Sequence, residues 1–227
     1  MPTDSSNTVP VVEVLSADKV FANGTRALSP INLTIQPGEF ITLLGIGYVF
    51  QDATLMPWSR VQNNVRLPLD LAGDDRAQAD AKVAAALELV GLKGFENHYP
   101  RQLSGGMQMR ASIARSLVTE PNLLLMDEPF GALDEITRNK LDADIIQLWW
   151  RKKLTVIFVT HSIYEAVFLS TRVIVMAARP GRVLKEVLID EPHPRTDAFR
   201  VTQKFAAYAK ELSELLAQAS ASGASDL

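Results

Sequence analysis

Residues 123–126 read Leu-Leu-Leu-Met, an uninterrupted apolar run bounded by Pro121 on one side and by Asp127, Glu128 and Pro129 on the other. Apolar residues without polar alternation fit a strand covered on both faces, and such strands belong to parallel sheets flanked by helices. The flanking sequence agrees. Ser104 opens a helical stretch that reaches about Thr119 and is stopped by Pro121. After the run, strand-like and helical segments alternate: strand 155–160, helix 163–170, strand 173–176. This alternation predicts α/β organisation with parallel strands.

The rest of the chain fits around that core. Residues 11–15 and 33–35 read as strands, Gln36-Pro37-Gly38-Glu39 as a turn, and 40–44 as a buried strand. Residues 59–102 read as a helical insert, in which helix 77–90 is ended by Gly91. A last helix, 197–218, places Phe205, Tyr208, Leu212 and Leu215 on one face, and 219–227 reads as a flexible tail. The length of 227 residues suits one large domain, here 1–227, with a helical subdomain at about 59–120. A net charge of −3 does not favour a nucleic-acid binder. With no cysteine, thiolate metal sites and disulfides are excluded. The apolar runs are too short to span a bilayer and residues 1–10 lack a signal pattern, so a cytoplasmic location is expected, with any membrane contact made through a partner.

Two segments carry chemistry. In Leu103-Ser104-Gly105-Gly106-Met107 a serine that can cap a helix precedes two glycines that let backbone N–H groups approach a phosphate; taken alone, this is equally an ordinary helix start. In Leu123–Pro129 an apolar strand ends in two carboxylates, which at the carboxyl edge of a parallel sheet face the ligand crevice; taken alone, these could also be loop caps. The order decides between the readings. A Gly-rich helix start, one helix, strand-Asp127-Glu128-Pro129, then Gly131-Ala132-Leu133-Asp134, then His161 after a further strand, form one set.

This set resembles the ABC ATPase family: signature, Walker B, D-loop and switch histidine in sequence order, with Met107 where many members carry glutamine. The resemblance covers nearly the whole chain. It implies a P-loop NTPase-like α/β core with an antiparallel β subdomain and a helical subdomain. It implies that ATP and Mg2+ are bound, with Asp127 on the metal, Glu128 as general base toward water, and His161 at the γ-phosphate. Gln51 resembles the Q-loop glutamine, reaching Mg2+ and the lytic water. Phe21 sits where the family stacks an aromatic on adenine, though a core or hairpin aromatic is the alternative. In the family two subunits sandwich ATP, so Ser104, Gly105 and Gly106 would serve the nucleotide of a partner, and Asp134 would shape the dimer interface. Residues 55–58, Leu-Met-Pro-Trp, with the insert would form the groove for a transmembrane permease. Asn63-Asn64-Val65, 162–167 and 178–183 look like importers of nitrate, sulfonates, taurine and related solutes. That implies a peripheral position on the inner face of the membrane and, indirectly, an extracytoplasmic solute-binding protein.

One family element is missing from the sequence. The pattern G-x-x-x-x-G-K-[ST] should follow strand 40–44, yet Gly45 is followed by Ile46-Gly47 and then Tyr48-Val49-Phe50-Gln51. Only Gly45 of the motif remains. The core is thus expected to lack the phosphate loop, its helix and the strands after it. Parallel strands need a crossover of a dozen or more residues, so distorted backbone is expected at 45–48, along with weak ATP binding and negligible hydrolysis. The alternative is a non-catalytic subunit that lends its signature in trans to an intact ATPase.

Overall fold

The structure, a computed structural model, describes residues 9–44, 53–178 and 180–224, the last five by backbone only. The first two strands, β1 (Val12–Val20) and β2 (Arg26–Ile35), form an antiparallel hairpin with Val12 opposite Ile35. The turn at 36–39 follows. There Gly38 takes a φ of +80°, Glu39 N–H donates to the Gln36 carbonyl at 3.2 Å, and Gln36 N–H donates to Glu39 Oε2 at 2.7 Å. A left-handed φ is cheap only for glycine, which explains the residue.

The chain then enters β3 (Phe40–Leu44), the middle strand of a five-stranded sheet. With β4 (Leu123–Asp127), β5 (Thr155–Thr160), β6 (Arg172–Ala177) and β7 (Arg182–Leu188), the order is β4-β5-β3-β6-β7. β3 pairs parallel to both β5 and β6, as the continuous apolar runs require. Phe40, Ile41, Thr42 and Leu44 are fully buried. The Phe40 ring lies 5.8 Å from Trp149, edge-on, and 5.9 Å from Phe158. The polar Thr42 is satisfied by a short hydrogen bond from the Ser170 hydroxyl. The antiparallel edge strand β7 was not expected from the sequence: its mostly half-exposed residues carry little periodic signal.

The chain divides into two compact units. One contains β1–β3, β5–β7, residues 125–127 and the segment after 149. The other is mainly helical: α1 (Val61–Ala72), α2 (Arg76–Leu89), α3 (Gly105–Leu117) and most of α4 (Glu135–Lys152). Its core joins Val61, Val65 and Leu69 of α1 to Val83 and Leu87 of α2 and to Ala111 and Ala114 of α3. α2 is capped by Asp75, which accepts from the N–H groups of Ala77 and Gln78, and Gly91 follows it at φ +71°.

The C-terminal segment departs from the single helix expected over 197–218. α6 (Asp197–Arg200) is one turn, the helix breaks at Val201, and α7 (Gln203–Ala224) continues into the stretch read as a tail. Thr202 causes the restart. Its hydroxyl accepts from Phe205 N–H at 3.1 Å and donates to the Phe199 carbonyl at 2.8 Å, while the Phe199 and Phe205 rings meet edge-on at 5.1 Å. Among the described residues no helix is long and apolar enough to cross a membrane.

Candidate functional site

β4 delivers Asp127 to an exposed position, and Glu128 follows with only 6% exposure and a φ of 40°. A carboxylate residue in the left-handed region is uncommon and must be held there by its surroundings. The turn is closed by Gly131 N–H, which donates to the Glu128 carbonyl at 3.1 Å, and it rests on the fully buried Phe130. Arg138 ties the loop down: its guanidinium donates to the carbonyls of Phe130 (3.3 Å) and Leu133 (2.9 Å). Asp134 then starts α4. Its Oδ1 accepts Thr137 N–H at 3.0 Å, and hydrogen bonds from Thr137 hold its carboxyl below the usual carboxylate range.

The Gly-rich helix start meets this loop. Ser104 caps α3, its Oγ accepting Met107 N–H at 3.3 Å, and both Ser104 and Gly105 are exposed. A Cβ on Gly105 would lie 3.1 Å from Leu133 Cδ2. A Cβ on Gly106 would lie 2.7 Å from Thr137 Cγ2, closer than real contacts allow. The two glycines therefore let the start of α3 seat against residues 133–137. The structure thus joins Ser104, Gly105 and Gly106 to the segment of Asp134.

α3 also anchors the segment that follows Gln51. The Arg115 guanidinium donates to the carbonyls of Ala53 (3.1 Å) and Thr54 (2.9 Å) and to Thr54 Oγ1 (2.9 Å), and burial lowers its pKa. Gly45 and Gln51 themselves, with the expected distortion at 45–48, lie outside the described residues.

In the sheet-containing unit, His161 stands exposed at the end of β5. Phe21 is 53% exposed in the β1–β2 hairpin loop, where its N–H donates to the Thr25 carbonyl at 2.9 Å and Lys19 Nζ lies 5.7 Å from its ring. Its exposure in the hairpin loop excludes a core role. Among the described residues no group of three or more His, Cys, Asp or Glu side chains is placed to hold a metal ion.

Sequence reasoning missed Arg115, Arg138 and Glu165. Arg138 carried a usable signal, four residues beyond Asp134 on the same helix face. Glu165 carried one too, three residues after Ser162 in the S-x-x-E spacing of a helix start, whereas Arg115 carried none, because its partners are set by tertiary packing.

The family described as ABC transporter matches residues 44–131. An uncharacterised ABC transporter ATP-binding protein of Methanocaldococcus jannaschii is 38% identical over 245 residues, an alignment covering 90% of this chain and 91% of that protein. The chain belongs to the ABC transporter ATPase family. Another family member, the aliphatic sulfonates import ATP-binding protein of Bacillus cereus, is 46% identical over 225 residues, with 82% of this chain and 88% of that protein covered. Among solved structures, a dimeric ATP-binding cassette in a post-hydrolysis state, bound to ADP and Pi, shares the ABC ATPase fold with a TM-score of 0.66 at 25% identity, covering 79% of this chain and 99% of that one. Members of this ABC ATPase family bind ATP and generally hydrolyse it.

Proposed function

We propose that the chain is the ATP-binding subunit of an importer for a small nitrate-, sulfonate- or taurine-like solute, and that its own nucleotide site lacks the phosphate-gripping loop. The observation carrying the first half is the ordered set Ser104–Gly106, Asp127–Glu128, Asp134 and His161 on an ABC ATPase fold, in a chain 46% identical to a sulfonate-import ATPase. In this reading Glu128 orients and deprotonates the attacking water, His161 and Gln51 meet the γ-phosphate end of the nucleotide, and Phe21 stacks on the base. Mg2+ is commonly held by one or two carboxylates, here Asp127, with phosphates and waters completing its shell. The ion would neutralise charge on the phosphates.

Two observations support the absence of the loop. An alignment of 245 positions that takes in 90% of 227 residues leaves about 41 positions present in the Methanocaldococcus jannaschii relative and not here. For the Bacillus cereus relative, 225 positions and 82% leave about 39. A segment of that size suits a phosphate loop, its crossover helix and further strands. Second, Leu125, in the middle of β4, is 67% exposed, although strands of parallel sheets are ordinarily covered on both faces. A missing crossover helix leaves such a residue bare.

Partners follow from the same reading: a permease received by residues 55–58, where Trp58 is 77% exposed, and a second ATPase subunit. The location is then the inner face of the membrane, with a solute-binding protein acting indirectly across it. Exposure of Ser104 and Gly105 at the start of α3 favours a second role, a non-catalytic subunit lending its signature to an intact partner. A nucleotide titration of the purified chain, alone and mixed with an intact relative, tests both. Weak binding and negligible turnover alone are expected. Turnover by the chain alone that disappears in Glu128→Gln would refute the impaired site. Restored binding or turnover in the mixture that is lost on Ser104→Arg would assign the trans role.

A further inference from the structure

His161 is an exposed imidazole on a loop braced from beneath. The residue before it, Thr160, is 2% exposed, and Glu165, four residues after it, is 4% exposed. Thr160 Oγ1 donates to the Glu165 carboxylate in a short hydrogen bond, and the same oxygen accepts Ser162 N–H at 3.0 Å. Ser162 Oγ in turn accepts Glu165 N–H at 3.3 Å, and the Ser162 carbonyl accepts Ala166 N–H at 3.1 Å, which starts α5 (Ile163–Leu169). A hydroxyl is a rotor with one proton and two lone pairs. The carboxylate takes the proton of Thr160 and so points a lone pair at Ser162 N–H. The backbone on both sides of His161 is thereby referred to one buried acidic group. Burying a carboxylate is costly, and an apolar side chain would fill the space more cheaply if packing were its only role.

We propose that Glu165 is a positioning residue for His161: through the Thr160 hydroxyl it holds the 160–162 backbone in the one conformation that presents the imidazole outward. This deepens the functional reading above and rests on it for the destination of the imidazole, the γ-phosphate. The brace itself is a property of the chain alone.

The test uses the full chain labelled at histidine. With His98, His161 and His193 the only histidines, the His161 signal is assigned by its loss in His161→Gln. In Glu165→Ala the His161 imidazole resonances should shift and broaden, and Ser162 N–H should exchange with solvent at least 10-fold faster, while exchange in β3 stays unchanged. Glu165→Gln retains a carbonyl acceptor for Thr160 and should restore most of both signals. Thr160→Val, which deletes the bridging hydroxyl and keeps the shape, should reproduce the Glu165→Ala result. It carries the test if Glu165→Ala does not fold. Unchanged His161 resonances and Ser162 exchange in a folded Glu165→Ala or Thr160→Val variant overturn the proposal. The γ-phosphate reading is tested separately, by adding saturating Mg2+ and ATP to the chain into which the phosphate-loop segment of an intact relative has been inserted after Leu44. A His161 signal that does not move there sinks that reading and leaves the brace standing.

Discussion

Gly106 shows how a residue can be demanded by its neighbour and not by its own turn. Its absent Cβ is what lets Thr137 Cγ2 come close, at 2.7 Å from where that Cβ would stand. Gly106→Ala should destabilise the chain by about 1–3 kcal/mol in urea denaturation, the usual range for overpacking. Adding Thr137→Ser, which removes the clashing methyl and keeps the hydroxyl, should recover most of the loss; a double variant no more stable than Gly106→Ala would disprove the contact. His193 makes a different residue-scale prediction. Its ring packs edge-on to Trp149 at 4.6 Å between centroids, and burial, with the nearby Arg195 charge, lowers its pKa to about 3. The folded value lies below the ordinary 6.5, so the neutral ring favours the fold. That contribution is complete above about pH 6.5 and is lost as pH falls toward 3. Wild-type stability should decline between pH 6.5 and 5 more steeply than that of His193→Gln, by up to about 1.4 kcal/mol per pH unit. Parallel curves from pH-dependent urea melts would rule this out.

At the scale of elements, the C-terminal end of α5 is closed by a side chain from far along the chain. The Arg195 guanidinium donates to the carbonyls of Val167 (2.7 Å), Phe168 (3.0 Å), Ile189 (3.0 Å) and Glu191 (3.2 Å). Burial lowers its pKa to about 10, so it stays charged at neutral pH. Helix ends leave carbonyls that need donors, and a planar fork reaches several at once where an ammonium cannot. Arg195→Lys should therefore behave almost like Arg195→Ala, each costing on the order of 3–5 kcal/mol. A lysine variant within about 1 kcal/mol of wild type would contradict the fork argument. Sequence reading located α5 and the strand before it to within a residue or so, because their apolar periodicity is local. It missed the break at Val201 and the strand β7, because a threonine cap and an edge pairing draw their stability from neighbours that periodicity does not contain.

For the whole molecule, the proposed loss after Gly45 of about 40 residues found in relatives has a direct consequence. Positioning accounts for most of the catalysis in phosphoryl transfer. Inserting between Leu44 and Tyr48 the corresponding segment of a sulfonate-import relative should therefore raise ATP affinity and produce turnover that depends on Glu128. The same insertion should cover Leu125, reducing binding of an apolar dye at the sheet. An insertion that folds, covers Leu125 and still binds no ATP would show that the loop is not the missing component.

The sequence by itself determined the family, the α/β alternation, the strand ends that carry Asp127 and His161, and the cap at Ser104, because each depends on residues a few positions apart. It also showed that Gly45 is not followed by G-K-[ST] at the spacing a phosphate loop needs, since a motif is either spelled out or not. Only the tertiary structure decided that the Gly-rich helix start seats against residues 133–137, that Arg115 anchors residues 53 and 54, that Phe21 lies in an exposed hairpin loop, and that Glu165 is buried under the His161 loop. Those facts depend on distances between segments far apart in the chain, or on which face of a turn is buried. Both are fixed by close packing, which no local pattern encodes.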